Sequence, residues 1–69
     1  MKHDGLTAQE LRVAHLIAAG HSDKAIADHL HVKQRTISFH VRRIAATWNI
    51  GGKQNARVEI AKRVLKAAA

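Results

Sequence analysis

The sequence has no cysteine, no proline and no tyrosine, a single phenylalanine, a single tryptophan, and only 5 Asp+Glu against 12 Lys+Arg. Each shortage excludes something. Without cysteine there is neither a disulfide framework nor a thiolate metal site, so packing alone must hold the fold together. That suits a reducing compartment, and a cytoplasmic location is the expectation. No apolar run reaches the roughly 18 residues of a membrane span, and no secretory signal follows Met1. The 46% apolar content overstates the core, because 13 of those residues are alanine and only 16 are Leu, Ile or Val. A chain of 69 residues supports one small domain, which buries roughly 60% of its unfolded surface. It leaves little room for an enclosed pocket of enzyme size. A single domain over 1–69 is expected, with its core in 6–66, and no catalytic set or cofactor.

The charge is where the sequence is rich. The net charge is +7, which points to a polyanionic partner, nucleic acid first and an anionic membrane surface second. Its placement favours nucleic acid. Between Asp28 and Glu59 no acidic residue occurs, yet Lys33, Arg35, Arg42, Arg43, Lys53 and Arg57 all fall there.

Apolar residues recur at helical spacing with no strand-like alternation, so the reading is all-α with four helices, about 8–19, 23–30, 34–48 and 56–66. Thr7 and Glu10 have the spacing of a capping box, with Leu6 and Leu11 at the two staple positions. Gly20 suits the left-handed residue that closes a helix. Ser22 can cap the second helix, which has Asp23 in its first turn and Ile26 and Leu30 inward. His31 and Val32 then make a tight connection, with histidine among the residues that tolerate a left-handed backbone. In the third helix Ile37, Val41, Ile44 and Trp48 form one stripe. Asn49, Gly51 and Gly52 break it, and Asn55 is a plausible cap for the fourth helix.

The face of the third helix opposite that stripe carries Arg35, Ser38, Phe39 and Arg42, with Thr36, His40 and Arg43 along its flanks. A face with two arginines, a hydroxyl, an outward phenylalanine and no carboxylate suits the DNA major groove. Arginine bonds guanine bidentately, a hydroxyl meets several base edges, and an apolar ring packs on thymine methyls. Thr36, His40 and Arg43, with Lys24 and Lys33, are placed to meet phosphates.

The segments Leu6-Thr7-Ala8-Gln9-Glu10, Gly20-His21-Ser22-Asp23-Lys24-Ala25-Ile26-Ala27, Leu30-His31-Val32 and Thr36-Ile37-Ser38-Phe39-His40-Val41 occur in order. Together they resemble the LuxR-type (GerE/NarL-like) helix-turn-helix domain of bacterial transcription regulators, closely from residue 6 to about 50. The resemblance implies a four-helix domain whose third helix enters the major groove and whose fourth pairs with that of a second copy. It implies base reading by Ser38, Phe39 and Arg42, and backbone contacts by Lys24, Thr36, His40 and Arg43. The sequence also departs from the pattern. Ala8-Gln9 replaces Pro-Arg, Lys33 stands where a serine usually caps, Ser38 and Phe39 replace a lysine and an aliphatic residue, and the connection from Ile50 to Ala56 is longer than usual. The preferred DNA sequence is therefore expected to differ from that of familiar members.

The fourth helix carries two apolar stripes, Ile60/Val64 and Val58/Ala61/Leu65/Ala68, where a small core needs one. Val58, Ala61 and Leu65 are the expected dimer surface, which would be isologous. Six histidines (His3, His15, His21, His29, His31 and His40) make no i,i+4 pair and have no cysteine beside them, so no metal site is expected. The expected function is sequence-specific binding of double-stranded DNA in transcription regulation, as a homodimer on an inverted repeat, with RNA polymerase a further candidate partner. Two other readings stay open: a sigma-factor-like promoter-reading module docked on polymerase, and a basic protein-interaction module anchored by Phe39.

Overall fold

The computed structural model describes residues 5–50 and 56–68. Four helices follow one another: α1 (Ala8–Ala18), α2 (Asp23–Leu30), α3 (Gln34–Thr47) and α4 (Ala56–Ala68). No strand occurs among the described residues. Three boundaries shift from the periodicity reading. Helix α1 ends one residue earlier, Trp48 lies just past the end of α3 rather than inside it, and α4 runs on to Ala68. Asn55, Lys53, Gly51, Gly52 and His3, singled out above, lie outside the described residues.

The starts of α1 and α2 are set by local chemistry. Thr7 Oγ1 accepts from the Glu10 N–H, and Glu10 Oε1 accepts from the Thr7 N–H, each at 3.1 Å. This is the reciprocal capping box that the spacing implied. Ser22 Oγ accepts from the Ala25 N–H at 3.1 Å. Lys33 begins α3 in an extended conformation with no side-chain cap, as its missing hydroxyl requires.

Three helices end the same way, each on one residue with a left-handed backbone: Gly20 at φ +98°, His31 at +60° and Asn49 at +58°. In each case the N–H of the next residue reaches back to a carbonyl five residues before it. His21 bonds Leu16, Val32 bonds Ala27 and Ile50 bonds Ala45, at 3.1, 2.9 and 2.8 Å. This is the Schellman arrangement, which satisfies carbonyls that the helix end would otherwise orphan. Val32 and Ile50 then pack against the core.

That core is small and continuous. Leu6, Val13, Ala14, Ile17, Ile26, Ala27, Ile37, Ile44, Trp48, Ile60 and Val64 are buried together. Val41, on the expected inner stripe of α3, is only partly buried. Fully burying each isoleucine contributes about 1.5–3 kcal/mol. Helix α1 packs against all three other helices and α2 packs on α3, while α2 and α4 do not pack directly. Arg57 bridges them instead, bonding the Asp23 carboxylate and the His21 carbonyl. At the other end of the chain, left-handed Gly5 lies so near Thr47 that a Cβ would come within 2.9 Å of its Cγ2.

Candidate nucleic-acid interface

With Ile37 and Ile44 wholly buried, the rest of α3 is turned outward by the 100° step of the helix. Arg35, Ser38, Phe39 and Arg42 are exposed on one face. They sit at i, i+3, i+4 and i+7, the spacing of a single stripe. Phe39 is 54% exposed, a large apolar ring kept out of the core. Lys33 and Arg43 are exposed beside this face, Thr36 and His40 are half-buried at its edges, and Lys24 is exposed in the first turn of α2. The structure thus brings all nine predicted residues to α2, α3 and the turn between them.

His40 is turned partly inward. Its Nδ1 is enclosed without a hydrogen-bond partner among the described residues, and its ring lies 6.5 Å from that of Phe39.

The sequence reading missed a contact that joins the fold to this face. Glu10 is 4% exposed, with one oxygen used in the capping box. Its other oxygen, Oε2, accepts from Arg43 Nε at 3.0 Å. The guanidinium carbon of Arg43 in turn lies 5.7 Å from the Phe39 ring centroid, within cation–π range. Burial by itself would push the Glu10 carboxyl up. The bonds from the Thr7 N–H and Arg43, with the charges of Arg43 and His40, outweigh it and hold the group below the usual carboxylate range.

On α4 the two apolar stripes separate as the pattern implied. Ile60 and Val64 are buried, whereas Val58 is 46% and Leu65 59% exposed. Ala61 differs from its neighbours on the outer stripe, because it packs partly against the core. Arg63 lies over Trp48, 4.9 Å from the ring centroid, closing α4 onto the end of α3.

The family model of bacterial regulatory proteins of the luxR family (GerE) matches residues 4–60, which takes in α1 to α3 and the start of α4. The chain belongs to the LuxR family. Its fold is the all-α helix-turn-helix domain of that family, a DNA-binding module of transcription regulation. The HTH-type transcriptional regulator AlkS of Ectopseudomonas oleovorans is 37% identical over 54 residues, 78% of this chain. The chain spans only 6% of that relative's length. No solved structure matches significantly. Among the described residues no helix of this LuxR-family chain is long and apolar enough to cross a membrane.

Proposed function

We propose that this LuxR-family chain reads specific sequences in double-stranded DNA, with α3 in the major groove, in a bacterial regulator of transcription acting in the cytoplasm. The observation that carries the proposal is the outward stripe of α3. It has two arginines, a serine and a phenylalanine, no carboxylate, and it is presented by a short helix and a tight turn. Arg42 and Arg35 are suited to guanine, Ser38 to several base edges, and Phe39 to a thymine methyl. Lys24, Lys33 and Thr36 lie where phosphates set the register. With Nδ1 enclosed, His40 has Nε2 left to donate to a phosphate, and Arg43 keeps its Nη groups for one. The whole of 1–69 acts as one domain in this reading.

The proposal extends to assembly. Two copies pair through Val58, Ala61 and Leu65 of α4 and read an inverted repeat whose half-site centres lie about 10 bp apart. The exposure of Val58 and Leu65 supports this.

Selection from a random duplex library at about 150 mM salt, followed by sequencing, tests both parts. A two-fold symmetric motif is the expected result. A single asymmetric half-site would retain the reading of α3 and remove the dimer. No enrichment would leave only the +7 charge and favour an interaction module that meets an acidic protein.

A further inference from the structure

Arg43 occupies the flank of α3, where a cation would ordinarily reach for a phosphate. Here its Nε is held by a buried carboxylate on α1, and its guanidinium lies against the one phenylalanine of the recognition stripe. Three groups are therefore linked in series: Glu10, fixed by the capping box; Arg43, fixed by Glu10; and Phe39, four residues before Arg43 on the same face.

An exposed phenylalanine on a helix has several rotamers open to it. A ring that must meet one base pair gains selectivity when those rotamers are reduced before binding, because less freedom is lost on contact. The planar guanidinium can bond a carboxylate through Nε and lie near an aromatic ring at once, which an ammonium cannot do in the same way. The carboxylate is suited to the task because burial and its bond to the Thr7 N–H deny it other positions. It is aimed by the first turn of α1, not by α3 itself.

We infer that Glu10 is a specificity-determining positioning residue: through Arg43 it sets how Phe39 meets a base pair. Glu10 touches no DNA in this scheme. The inference rests on the proposed reading of α3 and adds to it a control from outside the recognition helix. It also assigns Arg43 chiefly to Phe39, with Glu10 restraining its reach toward the backbone.

The test is base preference, measured by competition between the selected duplex and its single-base variants. The proteins are the unaltered chain, Glu10→Gln, Phe39→Leu and the double variant. Glutamine keeps the capping box, which accepts either residue at this position. However, Glu10→Gln removes the charge that holds Arg43. The expected result is a loss of about two- to fivefold in preference, the size of an exposed cation–π contact. That loss should be confined to the base pairs where Phe39→Leu also loses preference. At those base pairs the double variant should be no worse than Phe39→Leu alone. Released from Glu10, Arg43 should also engage its phosphate more fully and steepen the salt dependence by less than the roughly 0.9 in slope of a whole added contact.

A uniform loss across all sequences, or losses that add in the double variant, would overturn the inference. Arg43→Lys serves if Glu10→Gln does not fold, since it keeps a cation beside Glu10 but not the planar group. It should relax the same base pairs, and an unchanged preference would overturn the inference on its own. An unaltered chain with no base preference at all would instead remove the reading of α3, and this inference with it.

Discussion

Arg42 and Lys24 are both exposed cations, but they stand at different places in the proposed complex, and substitution separates them. Arg42→Ala should cost about 1–3 kcal/mol on the selected site and relax preference at one base position, as loss of a bidentate contact does. Lys24→Ala should weaken all sequences alike and reduce the salt slope by about 0.9. Binding isotherms on selected and random duplexes, at several salt concentrations, distinguish the two. Equal losses from both variants on both duplexes would refute this division of roles. Glu10 makes a prediction of another kind. Its folded pKa lies below the ordinary value, so its contribution to stability is complete above the unfolded glutamate pKa, about 4.3. The contribution is lost as the pH falls through the lower, folded value. Urea midpoints for the unaltered chain and Glu10→Gln should therefore differ most near neutrality and converge in acid.

The element scale shows which features are legible in a sequence. Helix starts and stops depend on residues three to five positions apart, so Thr7 with Glu10, Ser22, Gly20 and His31 are all legible in the sequence itself. The outward stripe of α3 was legible for the same reason, since a fixed turn per residue maps sequence onto faces. The bond from Arg43 to Glu10 spans 33 residues and that from Arg57 to Asp23 spans 34. With 12 basic side chains and 5 acidic ones, composition does not say which pairs meet. Tertiary packing chooses them. Periodicity carries the inner stripe of α3 on to Trp48, which sits one residue beyond the helix, because the pattern continues across a helix end that only the left-handed Asn49 marks. Lys33 turns local chemistry into a trade between stability and binding. Lys33→Ser should supply the absent cap and raise stability by about 1 kcal/mol. It should also remove a phosphate contact and lower the salt slope. Thermal melts and salt titrations on one sample set check both, and a variant that gains stability with no change in slope would place Lys33 away from the DNA.

At the scale of the whole molecule, the exposed stripe of α4 is the feature most open to test. Leu65 is more than half exposed, so Leu65→Glu should alter monomer stability by no more than about 0.5 kcal/mol. If α4 joins two copies, the same change should convert a symmetric selected motif into a half-site and lower the mass seen in sedimentation. An unchanged symmetric motif would move the interface elsewhere. The arrangement of the helices carries one more consequence. Helices α1 and α3 each contact all three others, whereas α2 and α4 do not contact one another. Local openings that expose α2 or α4 can leave the contact between α1 and α3 intact, whereas separating α1 from α3 dismantles everything packed on them. In hydrogen–deuterium exchange the last amides to exchange should therefore be those of Val13, Ala14 and Ile17 in α1 and Ile37 and Ile44 in α3, at rates set by global unfolding. The slowest clock in the protein would then run in part inside the helix that carries its proposed task.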